Sequence, residues 1–335
     1  ATNFTVNPEN SWAEAMAVED GRIVFIGEAA GIADYVDDGT DILDAGGRLI
    51  LPGFIDAHVH PLEGSTTGVF GCDIYELSSA EPDPENWISE LQQCKDPESI
   101  HGWVLGWGHD SRQLAGLNRM PRALLDDAFP DMPAAIMERS SHSMWVNSLA
   151  LQQLGITSDT PHPQGGMIFK DAESGEPNGI LSDSAGDELL HRVLDSTPEL
   201  QEARYKAMLL SQHMLAEHGI TSANNARVYW DRGNLDPWLR GEREKTLKAR
   251  MVLSLWTYPH MDDEKQLKKL RSMYRNDKNA MLRISQVKFY SDGVPSLNSA
   301  AVLEPYGLLV HPEADPTGGN YFTEARMTRY ITELE

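Results

Sequence analysis

The stretch Leu51-Pro-Gly-Phe-Ile-Asp-Ala-His-Val-His60 decides the fold prediction for this chain. It belongs to a mostly apolar run, residues 49–60, which is typical of a buried strand with a proline near its start. His58 and His60 are two residues apart, so on a strand both side chains lie on the same face. Two neutral imidazoles at the end of such a strand can bind one divalent ion, whereas a chance His-x-His pair is the alternative. The sequence therefore predicts a metal site here.

The segments around this strand predict an α/β protein. Residues 1–50 contain short strand-like runs on both sides of the Asp20-Gly21 turn, which predicts a small β-sandwich-like domain. From Thr197 onward, predicted strands at 220–223, 251–257 and 284–290 alternate with amphipathic helices. Together with residues 49–60 these make four βα units, and such alternation implies a parallel sheet. Residues 51–335 are thus predicted to form one domain.

A large insertion is predicted at about residues 62–197, between the first and second of these strands. Its length far exceeds the roughly two to six residues of an ordinary βα loop, so it must have structure of its own. Within it, residues 167–170 and 178–181 flank a turn-rich segment and predict a hairpin. Residues 144–154 predict a helix that ends at Gly155.

Composition excludes several classes of function. The chain has 51 acidic and 28 basic residues, a formal charge of −23, which would repel nucleic acid and anionic lipid. No apolar stretch approaches the roughly 18 residues of a membrane span, so we expect a soluble, cytoplasmic protein. The chain begins at Ala1 and is expected to have been trimmed, which leaves a periplasmic or secreted location open. The spacing of Cys72 and Cys94 supports neither a disulfide scaffold nor a cysteine-based zinc site.

Several motifs, taken together, carry a resemblance to a known family. Besides residues 51–60, they are Gly106-Trp-Gly-His-Asp110, Ser141-His-Ser-Met-Trp-Val-Asn-Ser-Leu-Ala-Leu151, Gly165-Gly166, Gly175-Glu-Pro-Asn-Gly-Ile-Leu181, Gly219-Ile-Thr-Ser222 and Val287-Lys-Phe-Tyr-Ser-Asp-Gly293. Over nearly the whole chain, the sequence resembles the metal-dependent amidohydrolase superfamily, in the branch that contains N-substituted formamide deformylase. The resemblance implies a TIM-type (β/α)8 barrel, of which this chain has the first four βα units.

The resemblance also implies a metal centre. His58 and His60 match metal ligands, and Lys288 matches a strand-four lysine that is often carboxylated and bridges two metals. We therefore expect one or two divalent ions, most simply Zn²⁺, with Lys288 as a catalytic residue. An internal lysine paired with Asp292 on the same strand face is the alternative. The family's ligands on strands five and six and its aspartate on strand eight have no counterpart here, so we expect either a truncated sequence or a half barrel completed by a second chain, which leaves a homo-oligomer open.

Other polar residues are candidates for the substrate pocket. His142 matches a pocket-lining segment and could orient a carbonyl as a catalytic residue, although a solvent-facing position at a helix start is an equal alternative. Trp145, Asp110 and Asp292 are weaker pocket candidates, as is His109. Asn224 and Asn225 lie where strand two ends, where a turn role is as well supported.

The resulting function is hydrolysis of an amide-type C–N bond in a small molecule by metal-activated water. Hydrolysis of a lactone or a phosphoester on the same barrel is an alternative, because a two-metal site activates water for those bonds as well. A catalytically inactive binding or regulatory homologue is a second alternative. The sequence does not distinguish between substrates.

Overall fold

The N-terminal segment forms two small β-sheets in the computed structural model, which describes residues 2–66, 71–76, 84–94, 102–115, 117–193, 197–307 and 315–335. Its elements are β1 (Thr2–Phe4), β2 (Trp12–Ala13), β3 (Ala15–Glu19), β4 (Arg22–Gly27), a 3₁₀ helix (Ala29–Tyr35) and β5 (Leu49–Ile50). One sheet has the order β2-β1-β5, and β3 pairs with β4 as a hairpin. Asp20 and Gly21 both have positive φ, +48° and +72°, the backbone that a tight hairpin turn requires.

The remaining elements alternate between strands and helices. In chain order they are β6 (Phe54–Val59), α1 (Pro61–Thr66), β7 (Cys72–Asp73), α2 (Pro84–Gln92), β8 (Val104–His109), α3 (Ser111–Ala115), α4 (Pro121–Ala128), β9 (Ala134–Glu138), β10 (Ser143–Val146), α5 (Ser148–Leu154), β11 (Gly166–Lys170), β12 (Pro177–Asp183), α6 (Ser184–Val193), α7 (Pro198–Glu217), β13 (Ile220–Val228), α8 (Asp236–Arg243), β14 (Arg250–Trp256), α9 (Asp263–Met273), β15 (Leu282–Lys288) and α10 (Glu324–Leu334). Short 3₁₀ helices follow β13 and β15, at Trp230–Arg232 and Pro295–Leu297.

Four parallel strands form the sheet that was predicted, in the order β15-β14-β13-β6. The α/β class is confirmed, and the described strands form an open sheet rather than a closed barrel. β6 is shorter than the predicted run of residues 49–60, because Leu49–Ile50 pairs with β1 instead. Gly53 separates the two pieces and lies against β13, where an added Cβ would be 2.2 Å from Thr221 Cγ2. This close contact fixes the entry of the chain into the sheet.

Helix α7 connects the insertion to β13 and packs against the parallel sheet. Thr197 accepts a hydrogen bond from the amide of Leu200, and Pro198 follows in the first turn, as the sequence predicts. Gly219 has φ +70° and leads directly into β13. Met208 on this helix and Leu253 on β14 belong to one buried apolar cluster. Within the described ranges, no helix combines the length and the apolar character that crossing a membrane would require.

The insertion is built on a six-stranded mixed sheet with the order β11-β12-β10-β9-β8-β7. The predicted hairpin is confirmed as the antiparallel pair β11 and β12. The predicted helix 144–154 is wrong in its first part, because residues 143–146 form β10, which is buried between β9 and β12. The helix begins only after Asn147, whose side chain accepts a hydrogen bond from the amide of Ala150, and it ends at Gly155 with φ +70°.

The insertion contains a disulfide bond, which the spacing of the cysteines did not indicate. Cys94 follows α2 in the insertion and is disulfide-bonded. Spacing within the sequence could not show this bond, because only the packing of the insertion brings distant segments together.

We expect the 335-residue chain, expressed alone, to self-associate. β6 and β15 are the edges of the described parallel sheet, and Phe54 and Ile55 on β6 are 55% and 77% exposed. Exposed apolar edge strands favour pairing between chains. Sedimentation velocity would measure this association, and a monodisperse monomer that unfolds cooperatively would contradict it.

Candidate metal centre and substrate cavity

The predicted histidine pair lies at the carboxyl end of β6. The imidazole centroids of His58 and His60 are 5.3 Å apart and the rings are nearly perpendicular, at 87°. β13 runs parallel to β6, with Asn225 opposite Val59, so the pair lies at the edge where parallel strands end. This edge is the usual position for active sites in α/β folds.

The environment of His60 suits a metal ligand. Its Nδ1 is buried and has no hydrogen-bond partner among the described residues, with Glu63 Oε2 3.6 Å away. Burial, assisted by the nearby charges of Arg227 and Lys288, lowers the pKa of His60 to about 4, against the opposing effect of Glu63. The ring is therefore neutral at physiological pH, the form that can coordinate a cation.

Lys288 ends β15, where its backbone pairs with Trp256 of β14. Burial, and then the charge of Arg227, lowers the pKa of the Lys288 amine. The charge of Lys288 contributes to the lowered pKa of His60, so the lysine lies near this histidine. In the described ranges, no ion pair joins Lys288 to Asp292, whose Oδ2 instead accepts a hydrogen bond from the Ala301 amide at 3.0 Å.

The described residues include two candidate metal ligands, His58 and His60. No group of three or more His, Cys, Asp or Glu side chains in the described ranges is arranged to hold a metal ion. The pair His58 and His60, with a buried unpartnered nitrogen, fits two of the ligands. Lys288 could contribute a third as a carbamate, whereas its ammonium form has no lone pair for a metal.

Sequence reasoning missed a buried ion pair beside this centre. Arg227 near the end of β13 donates to Glu63 on α1, with Nη2–Oε2 at 2.9 Å and Nε within 3.3 Å of both carboxylate oxygens. Burial alone would lower the pKa of Arg227, but Glu63, Tyr229 and Asp187 together outweigh that effect and the pKa is raised. The predicted second strand ended at Ala223, whereas β13 continues to Val228, so the arginine was not placed on a strand.

His142 lies in a second polar cluster, between the insertion and the segment after β15. Its Nδ1 is 2.9 Å from Asp183 Oδ1, and the Tyr321 hydroxyl donates to Asp183 Oδ2 at 2.6 Å. Tyr290 Oη lies 2.8 Å from His142 Nε2, and the two rings stack at 4.9 Å. Burial raises the pKa of Asp183, although its hydrogen bond with His142 partly offsets this. The histidine is thus held in one orientation, with a side chain only 15% exposed.

A cavity of about 270 Å³ lies between the insertion sheet and the parallel sheet. His60 and Glu63 line it on the side of the candidate metal centre. A narrow cleft lined by His142, Asp183 and Tyr290 shares Arg227 and other wall residues with this cavity. His60 and the His142 cluster therefore border two neighbouring cavities that share wall residues.

Two predicted pocket residues lie elsewhere. Trp145 is fully buried in the core of the insertion, and its indole donates to the Pro121 carbonyl at 2.9 Å. Asp110 is 5% exposed and pairs with Arg112 and Arg139. Neither residue lines the two cavities described above.

The remaining candidates have structural contacts. Asn224 donates to the Ala57 carbonyl at 3.1 Å and accepts from the Ser254 hydroxyl, so it joins neighbouring strands. Asn225 is 2% exposed and accepts a hydrogen bond from the amide of Arg227. Asp292 forms a backbone bridge to Asn320 in addition to its bond to the Ala301 amide.

His109 provides a pH-dependent test of the insertion core. Its ring is 0% exposed and packs against Trp145, and burial lowers its pKa to about 3 from 6.5. Protonation of His109 is easier in the unfolded chain, where its pKa is about 6.5, than in the folded protein. The stability contributed by the buried neutral ring is therefore complete above about pH 6.5 and falls as the pH drops toward 3. We expect the free energy of unfolding to lose about 2–3 kcal/mol between pH 6.5 and 4.5 from this group.

The test is urea unfolding at both pH values. His109→Gln should flatten the pH dependence, whereas His213→Gln, on the exposed face of α7, should leave it unchanged. An equally steep pH dependence in His109→Gln would contradict the assignment.

The fold is shared with solved metal-dependent hydrolases. A crystal structure of an uncharacterized metal-dependent hydrolase from Pyrococcus horikoshii OT3 superimposes with TM-score 0.67 at 21% identity, covering 99% of this chain and 61% of that chain. A second, from Pyrococcus furiosus, gives TM-score 0.62 at 20% identity, covering 99% and 63%. These likenesses establish the α/β fold class.

The family follows from sequence comparison. The model of the amidohydrolase family matches residues 41–335, and the chain belongs to this family. It is 28% identical over 337 residues to putative amidohydrolase YtcJ of Bacillus subtilis, covering 96% of this chain and 60% of that protein. It is 31% identical over 189 residues to N-substituted formamide deformylase of Arthrobacter pascens, covering 56% and 34%. The predicted family is confirmed, and the chain spans less than two thirds of the length of these relatives.

Proposed function

We propose that this protein hydrolyses an amide-type C–N bond of a small molecule with the aid of divalent metal ions, most simply zinc. The observation that carries the proposal is the pair His58 and His60, with the buried His60 Nδ1 at the carboxyl end of β6. Membership of the amidohydrolase family and the likeness to N-substituted formamide deformylase support the bond type.

Three residues of this chain would hold the ions. His58 and His60 would bind through neutral imidazoles, and Lys288 would bind as a carbamate formed with carbon dioxide. The lowered pKa of Lys288 favours this reaction, because the neutral amine is the form that reacts. When bound, the ions would supply activated water and polarise the substrate carbonyl.

The remaining groups would position the substrate. Asp183 accepts from His142 Nδ1, which leaves Nε2 facing Tyr290 and the cleft. We expect His142 to orient the substrate carbonyl through this nitrogen. Closure of the cavity by the insertion would exclude bulk water and so strengthen these electrostatic contacts.

A substrate panel tests the proposed function in the intact protein. Metal-loaded enzyme should hydrolyse carboxamides, and chelation should abolish the activity, with recovery on adding zinc. Matched lactones and phosphoesters serve as controls for the bond type. Hydrolysis of only a lactone or a phosphoester would overturn the amide assignment, and no hydrolysis by a fully metallated protein would favour a binding role.

His142→Ala is expected to lower kcat/KM for an accepted substrate by about 10²-fold while metal content stays unchanged, because the residue orients substrate without binding metal. Asp183→Asn should give a smaller loss, since the imidazole remains but its orientation is less fixed. Steady-state kinetics and elemental analysis measure the two effects, with His213→Ala as the exposed control. Unchanged kinetics in His142→Ala would return this residue to a structural role.

A further inference from the structure

Trp256 has a buried indole whose N–H group has no hydrogen-bond partner among the described residues. The residue ends β14 and is 5% exposed. Leaving a buried donor without an acceptor destabilises a fold, so such donors are uncommon in native proteins. A group of this kind beside a candidate active site is therefore a candidate for ligand binding.

The other buried tryptophans show what distinguishes Trp256. The indole of Trp145 donates to a backbone carbonyl at 2.9 Å. Those of Trp87 and Trp238 have no partner among the described residues, but both lie in apolar clusters and line neither the cavity nor the cleft. Of these three unpartnered indoles in the described ranges, Trp256 is the one that lines the cleft with His142.

The cleft beside Trp256 is polar and small. His142, Asp183, Tyr290 and Arg227 also line it, and its volume is about 10 Å³. That volume is close to what a single water molecule needs, so the cleft has room for one oxygen atom rather than for a whole functional group. Because Arg227 also lines the larger cavity, the two spaces adjoin, and a ligand in the cavity can extend one oxygen into the cleft.

The indole ring is held in place by its neighbours. Its centroid lies 5.4 Å from that of the Tyr229 ring and 5.6 Å from that of Tyr290, and Arg227 Cζ is 6.0 Å from it. The Trp256 carbonyl accepts a hydrogen bond from another indole at 2.8 Å, which fixes the backbone. Tyr290 belongs to the His142 cluster and Arg227 lies beside the candidate metal centre, so the indole lies where the two meet. The donor is therefore preorganised for a ligand.

We infer that the Trp256 indole N–H donates a hydrogen bond to the carbonyl oxygen of the bound substrate. An indole N–H is a donor only, so its partner must be an acceptor, and a carbonyl oxygen is an acceptor of the size that the cleft admits. Because the inference rests on the proposed function, the acceptor is the oxygen of the amide that is cleaved. A fixed donor there stabilises the negative charge that develops on this oxygen as water attacks the carbonyl carbon.

NMR of the indole groups in the chelator-treated intact protein tests this inference without any contribution from a metal. The eight tryptophans give at most eight indole N–H signals, and the signal that is absent in Trp256→Phe belongs to Trp256. The probes are acetamide, propionamide and benzamide, with toluene as an aromatic control that has no carbonyl. We expect at least one carboxamide to move the Trp256 proton signal downfield, because a hydrogen bond deshields the proton, whereas toluene should not.

Variants measure what the donor contributes. Trp256→Phe keeps an aromatic ring without the N–H, and it should weaken binding of that carboxamide about fivefold to tenfold and lower kcat/KM of the metal-loaded enzyme by about 10²-fold. Trp238→Phe removes an unpartnered indole of α8 that lies outside the cleft, so it is the matched control and should change neither value. Thermal unfolding verifies that each variant is folded. If Trp256→Phe does not fold, benzothienylalanine in place of Trp256 keeps the shape of the ring and replaces the N–H by sulfur.

A Trp256 signal that none of the carboxamides moves downfield would overturn the inference, as would equal affinity and turnover in the parent protein and a folded Trp256 variant. A downfield shift in a protein that hydrolyses no amide would sustain this donor and reject the proposed function. Amide hydrolysis that a folded Trp256 variant leaves unchanged would do the reverse.

Discussion

Lys288→Ala in the intact protein is expected to lose at least one divalent ion per chain and to lower kcat/KM by about 10³-fold or more, because the activated water depends on the ions. The residue ends β15, is partly desolvated and acts on the pKa of His60. Elemental analysis and kinetics on the same preparation measure both losses. Small carboxylates such as acetate should restore part of the activity by occupying the vacated position.

Substitutions of the histidine pair complete this experiment. His58→Ala and His60→Ala should also lower metal occupancy, whereas Lys206→Ala, exposed on α7, should behave as the parent protein. Electron density for a metal-loaded crystal should show the carbamate. Full occupancy in Lys288→Ala, or an unmodified ammonium group beside a complete metal site, would leave a site built on the histidines without the lysine.

Removal of either partner of the buried pair Arg227 and Glu63 is expected to destabilise the protein by about 3–5 kcal/mol, since the other charge is left uncompensated. The pair joins α1 to β13 across 164 positions of sequence, and the Arg227 side chain is 7% exposed. Arg227→Met combined with Glu63→Gln should cost much less than the two single changes added together. Urea unfolding of the four proteins measures the coupling.

An exposed ion pair serves as the comparison for this double-mutant cycle. Arg240 and Glu244, four residues apart at α8, are 33% and 40% exposed, and their coupling should be at most about 0.5 kcal/mol. If the energies of Arg227→Met and Glu63→Gln simply add, then the buried pair does not stabilise the junction of α1 and β13.

The sequence predicted helices and strands correctly where capping residues, turns or side-chain alternation within a few positions determine them. The start of α7 follows from Thr197 and Pro198, and the hairpin of β11 and β12 follows from its turn-rich connection. The histidine pair at the end of β6 follows from the alternation of side chains along a strand. In each case the signal lies within a few residues.

The site walls depend on long-range packing, which explains why they were not predicted. Residues 143–146 resemble a helix start by composition, but pairing with β9 and β12 makes them a strand. The local sequence does not distinguish Arg204 and Arg232 from other helix and loop residues. Only the tertiary fold places both in the lining of one cavity. The partners of His142 are similarly distant, since Asp183 and Tyr290 lie 41 and 148 positions away.

The pairing of β6 with β13 also has a consequence for the order of folding. Thr221 Oγ1 bonds the Phe54 carbonyl across 167 positions, so the two strands close a very long loop. Loop closure costs more for longer loops, and contacts of this kind form slowly. The insertion has its own sheet and apolar clusters, so its collapse can bring the ends of the loop together before the strands meet. The rate at which the insertion folds would then limit the assembly of the parallel sheet, and mutations in the core of the insertion would delay that assembly from a distance.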